Sequence, residues 1–324
     1  MQSADDAAGR SGQTSTQTVQ RAFWIVLALL LVILVSFAGY YIWDRYSHAE
    51  GQTPAELDVV RLETAVHQQP QDPDLRVALA ESYLQVGRYA QALEQADQVL
   101  RQYPEDASAA LIAGIAHVRL NRPEEALAPL RQFVSLRKDG PMARSDAALE
   151  AAYYFLGESY VSLGRPAEAI QSLEAALLIS PVDADALYQL GLAYHQDSQP
   201  ELAVQRYQEA VRLVPDFAEA YEAMVDSYAA LNQPDHVTYA RGMVDFSRQD
   251  YRKAVAQLER ATEALPSFAP AFLGLGLAYE NGGNLDLALV AIQRALELNP
   301  GDFAAQHALG RIQSTTGNPE AKEQ

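Results

Sequence analysis

A period of 34 residues runs through the chain from residue 73 to residue 302. Six blocks follow this period, and alanine stands at the twentieth place of every block. The eighth place holds alanine in the first block and glycine in the other five, and the last turn holds proline in five blocks. The blocks are residues 73–106, 107–140, 150–183, 184–217, 235–268 and 269–302. A fixed period of this length indicates a stack of similar structural units.

The small residues predict that each block is a hairpin of two helices. Antiparallel helices approach closely only where the facing side chains are small, which accounts for the glycine and the alanine. The proline ends the second helix, because it lacks an N–H group and clashes with the preceding turn. Each hairpin leaves a face that only the next hairpin covers, so the blocks are expected to stack into an all-α solenoid.

This pattern resembles that of the tetratricopeptide repeat (TPR) family, as Gly191, Tyr194, Ala203 and Pro215 illustrate in one block. The resemblance implies a TPR helical-hairpin solenoid over residues 55–316, with about six repeats and additional half-repeats. The half-repeats are 55–70 (a lone second helix), 218–234, and 303–316 (a lone first helix, where Gln313 takes an aromatic place).

The half-repeat at 218–234 breaks the period by inserting one extra helix. Strict alternation would then exchange the inner and outer rows of helices. We therefore expect the array to bend or split there, into residues 55–217 and 235–316. The alternative is a degenerate repeat without a purpose, because solenoids tolerate irregular units.

A second break lies at residues 141–149, where nine extra residues separate two blocks. The loop at this break, 137–144, is basic and contributes Arg137, Lys138 and Arg144 as candidate contact residues. Ser145 is expected to cap the helix that follows, since serine is a favoured N-cap residue.

Residues 22–43 contain no charged residue and have aromatic residues at both ends. As a helix they would be about 33 Å long, enough to cross a ~30 Å hydrocarbon core. A cleaved signal peptide has a shorter apolar run, and a buried core helix would carry polar positions. The sequence therefore predicts a single transmembrane helix, a disordered tail at 1–21, a linker at 44–54 and a C-terminal tail at 317–324.

The orientation of this helix is predicted from its flanking arginines. Arg10 and Arg21 precede it and Arg45 follows closely, which slightly favours a cytoplasmic N-terminus and an extracytoplasmic body. The bias towards arginine and alanine suggests a bacterial source. The net charge of −18 argues against nucleic acid as a partner, because phosphate binding needs clustered basic residues.

In the TPR family the first helices line a concave face, into which the second, fifth, ninth and twelfth places point. The resemblance therefore implies a partner-binding groove whose residues are apolar with interleaved acids. Such a groove suits a protein or peptide with apolar anchors and basic flanks. The other interpretation is that the aromatic residues only pack between repeats. The candidate residues are Leu111, Ile115, Tyr154, Glu158, Tyr188, Leu192, His195, Tyr239, Met243, Phe246, Leu273 and Leu277.

One known ligand of the family is not expected. Repeats that grip the C-terminal carboxylates of heat-shock chaperones use Lys, Arg and Asn on three consecutive first helices. The matching places here hold Val77, Glu81, Ile112, Ala151 and Phe155. The sequence thus predicts no chaperone carboxylate clamp.

Motifs for catalysis and metal binding are missing from the sequence. The six histidines are scattered, no HExxH, Walker A or G-x-S-x-G motif is present, and there is no cysteine. We therefore expect no enzyme activity, no cofactor, no metal and no small-molecule substrate.

These observations favour a membrane-tethered scaffold that recruits partner proteins at the membrane, in the assembly or maturation of an envelope complex. The layout is similar to that of ancillary translocon subunits and cytochrome-maturation factors of bacteria. The alternative is a peptide-capturing receptor or holdase chaperone associated with protein translocation. A scaffold should bind one folded partner, whereas a holdase should suppress the aggregation of unrelated clients.

Overall fold

The computed structural model describes residues 53–316, and this part of the chain consists of α-helices, one 3₁₀ turn and short connections. The all-α prediction is confirmed there. The fifteen helices are α1 Pro54–Gln68, α2 Pro73–Gln85, α3 Tyr89–Gln102, α4 Ala107–Arg119, α5 Pro123–Arg137, α6 Ala147–Ser162, α7 Pro166–Ile179, α8 Ala184–Gln196, α9 Pro200–Leu213, α10 Ala218–Ala230, α11 Pro234–Ser247, α12 Tyr251–Ala264, α13 Ala269–Asn281, α14 Leu285–Leu298 and α15 Phe303–Thr316.

The predicted transmembrane helix at 22–43 and the predicted tails at 1–21 and 317–324 lie outside the described residues. Between residues 53 and 316, no helix has the length and apolar character needed to cross a membrane.

The chain divides into two compact units, residues 1–64 and residues 65–324. The described part of the first unit is the beginning of α1, which starts with a capping box. The Thr53 N–H donates to Oε2 of Glu56 at 2.8 Å, and the Glu56 N–H donates to Oγ1 of Thr53 at 3.3 Å. These two bonds satisfy backbone donors that the first turn leaves without intrahelical partners.

In the second unit, aspartates start most of the first helices. The carboxylates of Asp72, Asp106, Asp146, Asp183 and Asp302 accept hydrogen bonds from the backbone N–H groups of the turn that follows. The predicted cap Ser145 is therefore wrong by one residue, because its hydroxyl donates to the Met142 carbonyl oxygen instead. An aspartate is the better cap here, since its negative charge also interacts favourably with the positive end of the helix dipole.

Each first helix comes close to its second helix at the glycine of the eighth place. A Cβ atom added to any of five of these glycines would lie 2.3–2.7 Å from a large side chain sixteen residues further on. In the first repeat, Ala80 and Ala96 take these two places, and both are fully buried. The pairs are Gly114 with Leu130, Gly157 with Leu173, Gly191 with Tyr207, Gly242 with Leu258, and Gly276 with Ile292.

The first helices form two runs rather than one. In the first run, α2, α4, α6, α8 and α10 each contact the next, and in the second run α11 contacts α13 and α13 contacts α15. The runs meet at α10 and α11, which pack against each other as a hairpin, while α11 also pairs closely with α12. The extra helix α10 thus ends one run, and α11 starts another. The apolar core continues through this junction from Ala203 to Ala291, so the core does not split there. A bend of the array at 218–250 stays a prediction.

A chain of aromatic rings fills the junction between α10, α11 and the start of α13. The ring centroids of Tyr221 and Tyr239 are 6.4 Å apart, and those of Tyr239 and Phe268 are 5.0 Å apart. His236 lies 4.9 Å from Phe268 and 5.0 Å from Tyr228. Edge-to-face and tilted ring pairs of this kind add to the stability that area burial supplies. Large rings therefore fill the place where regular repeats meet through small residues.

A candidate protein-binding face on the first helices

The helices α4, α6, α8 and α10 lie side by side and present one continuous face. Because consecutive first helices contact each other, the same places of each repeat lie next to each other along this face. Seven of the candidate groove residues belong to it, and all seven are neither fully buried nor fully exposed. They are Leu111, Ile115, Tyr154, Glu158, Tyr188, Leu192 and His195. We refer to the surface of these four helices as the first-helix face.

Tyr188 connects α8 to the start of α10. Its ring centroid lies 5.2 Å from that of Phe217 and 6.0 Å from that of Tyr207. Burial raises the pKa of the Tyr188 hydroxyl, and the charges of Glu219 and Glu222 raise it further. The Tyr188 ring thus packs against two aromatic rings, and its hydroxyl is near two carboxylates.

His195 also joins two first helices. Its Nδ1 atom lies 2.8 Å from Oγ of Ser227, a fully buried residue of α10. On the opposite side of α8, the Gln196 amide donates to the Val161 carbonyl oxygen of α6 at 3.1 Å. These two bonds fix α8 between its neighbours. The role that the structure shows for His195 is thus a contact between two helices.

Glu158 and Tyr154 form a half-buried acidic spot on α6. Burial raises the pKa of Glu158, and Arg119, at 3.8 Å, opposes this shift. One carboxylate oxygen of Glu158 is buried without a hydrogen-bond partner. Burial, assisted by Glu158 and Asp185, raises the pKa of the Tyr154 hydroxyl.

Exposed carboxylates follow on α8 and α10. Asp185, Glu219, Glu222 and Asp226 are all exposed, and Glu222 pairs with Arg248. The other three make no ion pair within residues 53–316. The first-helix face therefore combines partly buried apolar residues with negative charges that have no cation of their own.

Five candidate residues lie on the second run of first helices instead. Tyr239 is only 4% exposed and Met243 only 3% exposed, so both belong to the core and not to an open groove. Met243 fills the space beside Gly274, where an added Cβ would lie 2.5 Å from its sulfur. The physical reason is that α11 is covered by α10 on one side and by α13 on the other. The remaining three, which are partly exposed, are Phe246, Leu273 and Leu277.

The basic loop divides into one paired and two unpaired residues. Arg137 donates to the Asp146 carboxylate at 2.7 Å and 3.0 Å, which ties the loop to the N-cap of α6. This bond and two backbone N–H donors hold the pKa of Asp146 below its ordinary value, although burial opposes them. Lys138 and Arg144 are exposed and make no ion pair within the part of the chain that the structure describes.

Two residues of this face were not singled out from the sequence. Phe217 precedes α10 and supports Tyr188, and Ser227 holds His195. Phe268 occupies the same place before α13. The recurrence of phenylalanine ahead of a first helix is the sequence signal by which Phe217 could have been found. Nothing in the sequence distinguishes Ser227 from an ordinary helix residue. Among residues 53–316, no cluster of three His, Asp or Glu side chains has the arrangement of a metal site.

Comparison with known proteins adds family matches and solved structures. Sequence models of the tetratricopeptide repeat match residues 77–141 and 239–319, 157–198, and 185–216, together more than half of the chain. No curated protein matches the chain.

Three of the similar solved structures illustrate the range of sequence identity and coverage. MamA from Desulfovibrio magneticus RS-1 is 23% identical, with 55% of this chain and 96% of that chain covered and a TM-score of 0.48. YrrB, described as a TPR protein with an unusual peptide-binding site, is 26% identical, with 66% and 96% covered and a TM-score of 0.36. The chain in the APC/C hetero-tetramer Cut9–Hcn1 is 17% identical, with 80% of this chain but only 46% of that chain covered and a TM-score of 0.44. The present chain thus spans about half the length of the Cut9–Hcn1 relative.

Proposed function

Because the chain belongs to the tetratricopeptide repeat family, whose members mediate protein–protein interactions, we propose that it is a scaffold that holds a protein partner on the first-helix face. The observation that supports this proposal is the combination of partly exposed apolar side chains with exposed carboxylates that have no cation. The partner segment is extended or helical, with apolar anchors and flanking lysines or arginines.

The apolar part of the face supplies the anchoring contacts. Tyr188, Leu192 and Ile115 are already partly buried in the protein. Their side chains therefore lose little conformational freedom when a partner completes their burial. Aromatic residues that are held rigidly before binding are typical centres of interface energy. Contact with Tyr188 and its neighbours therefore sets the register of the partner along the face.

The carboxylates supply steering and selectivity. Glu219 and Asp226 attract a basic segment and repel an acidic one, an effect that weakens as salt screens the charges. The same charges exclude an acidic C-terminal peptide. A complex held in this way dissociates more readily in high salt than a complex held by apolar contacts alone.

The scaffold acts at a membrane in this proposal. The uncharged run at residues 22–43 is long enough to span the bilayer, and the linker 44–54 extends at most about 36 Å. A partner is then captured close to the membrane surface, on the extracytoplasmic side if the N-terminus is cytoplasmic. Assembly or maturation of an envelope complex is the process that we assign to it.

Affinity purification of the full-length protein tests this function. We expect one partner to copurify with the native chain and to be lost from the Glu219→Gln/Asp226→Gln variant. The matched control is Glu201→Gln/Glu263→Gln, which neutralises two exposed carboxylates on second helices and should retain the partner. Equal recovery from both variants would contradict binding at the first-helix face. Many unrelated proteins in place of one would instead support a client-binding receptor.

A further inference from the structure

The turns that lead from a second helix into the next first helix carry exposed apolar residues. Since α4, α6, α8 and α10 lie side by side and run in the same direction, their first turns are at one edge of the array. The residues at this edge, which we call the apolar edge, are Tyr103, Met142, Leu178, Val182, Leu213 and Val214.

These side chains are far more exposed than the fold requires. Leu178 is 77% exposed, Val182 is 72% exposed and Met142 is 67% exposed. The opposite edge has a different composition, because its turns need a left-handed residue. Asn121, Gly164, Ser198 and Asn232 take these places with positive φ angles. Exposed apolar residues at four consecutive turns of one edge indicate a surface that is covered in the working protein.

Charges along the apolar edge are arranged in a self-complementary way. The first turn carries Arg101 and Glu105, and the fourth turn carries Arg212 and Asp216. All four are exposed, and none makes an ion pair within residues 53–316.

The two middle turns have opposite charges. The second turn has the unpaired Lys138, Asp139 and Arg144, two bases against one acid, and the third turn leads into the exposed Asp185. A net basic turn therefore precedes a net acidic one along the edge. A surface with this order is complementary to itself only when a second copy runs in the opposite direction.

We propose that the apolar edge is a two-fold interface between two copies of this chain. An antiparallel arrangement places the first turn against the partner's fourth turn and the second turn against the partner's third. Arg101 then faces an aspartate at position 216, and Lys138 faces an aspartate at position 185. The apolar side chains of the paired turns meet between these charges. Each contact occurs twice, as in any isologous interface.

Other occupants fit this edge less well. The whole chain carries a net charge of −18, so two copies repel each other except where the local charges are balanced, as they are here. An anionic lipid surface would meet Glu105, Asp185 and Asp216 as well as the basic residues. A two-fold copy is the occupant that sets the net basic second turn against the net acidic third turn and pairs Arg101 with Asp216.

Cysteine cross-linking of the full-length protein tests the arrangement directly, because the natural chain has no cysteine. We expect an Arg101→Cys protein mixed with an Asp216→Cys protein to form a disulfide-linked dimer on mild oxidation. Neither variant alone should do so. A mixture of Asn121→Cys and Asn232→Cys, on the opposite edge, is the matched control and should stay uncross-linked.

A second variant distinguishes a specific interface from cross-links that form by chance collision. Val182→Asp places a charge at the centre of the apolar edge without touching the core, so helix content by circular dichroism should not change. Sedimentation of the full-length protein in detergent should show a dimer for the native chain and a dissociation constant about ten-fold higher or more for the variant. A monomeric native chain, or a dimer unaffected by Val182→Asp, would overturn the proposal. Cross-links in the Asn121→Cys and Asn232→Cys mixture would overturn it as well.

Discussion

An ideal Cβ atom on Gly191 would lie 2.3 Å from Cε1 of Tyr207, and Tyr207 is fully buried. At this distance the buried ring or the helix backbone must shift. Gly191→Ala should therefore force an overpacked contact between α8 and α9, which typically costs about 1–3 kcal/mol of unfolding free energy. Urea unfolding of the full-length protein, followed by circular dichroism, measures this loss.

Gly310→Ala is the matched control for that substitution. Gly310 takes the same eighth place in α15, but nothing lies within 4 Å of an added Cβ atom. Alanine is the better helix former by about 1 kcal/mol, so this variant should be neutral or slightly stabilising. Equal destabilisation by the two alanines would contradict the account of the repeated glycine as a site of close helix approach.

Tyr239→Ala should damage the junction between the two runs of first helices. Tyr239 is 4% exposed and packs against Tyr221 and Phe268, so its removal leaves a cavity. Truncation of a large buried aromatic residue costs about 3–5 kcal/mol. Phe303→Ala removes a ring that is 76% exposed and should change the stability by less than about 0.5 kcal/mol. Hydrogen exchange should show the loss of protection concentrated in α10, α11 and α13.

Stability should fall between mildly acidic and neutral pH because of Glu150. Burial, followed by the negative charge of Asp183, raises the pKa of Glu150 from 4.5 to about 7. The folded protein thus keeps a proton that the unfolded chain releases. The stabilising contribution is complete below pH 4.5 and is lost as the pH rises through 7. Unfolding midpoints measured from pH 4.5 to pH 8 follow this loss.

Glu150→Gln removes the titrating group while keeping its size. The variant should lose less stability than the native chain over the same pH range. Glu81→Gln, on an exposed carboxylate of α2, is the control and should leave the pH dependence unchanged. A native and a Glu150→Gln protein with the same pH profile would exclude Glu150 as the cause.

The sequence allowed the hairpins to be predicted because small residues recur at fixed places of each repeat. The structure differs in the detail, since the glycine faces a large side chain sixteen residues further on and not the alanine. Gly276 and Ile292 lie within one repeat, and their pairing depends on nothing outside it. The proline that begins Pro166–Ile179 and the positive φ angle at Gly164 are local features as well. Local contacts of this kind repeat, so the period makes them visible.

Contacts that involve the extra helix could not be predicted in the same way. Tyr239 and Met243 stand at places that are open in a regular repeat, but here α10 and α13 cover them. The choice between Ser145 and Asp146 as a cap is likewise ambiguous in the sequence, because both are favoured residues and the register differs by one. Neither case can be resolved without knowing which helix is the neighbour.

Site-specific photo-crosslinking in the native cell tests the binding face most directly. A photoreactive residue at Ala229, exposed at the end of α10, keeps every carboxylate of the first-helix face. The same replacement at Ala167, exposed on the second helix α7, is the control. The account predicts one discrete adduct from Ala229 and none from Ala167. Adducts from Ala167 alone, or equal adducts from both, would contradict a partner bound on the first helices.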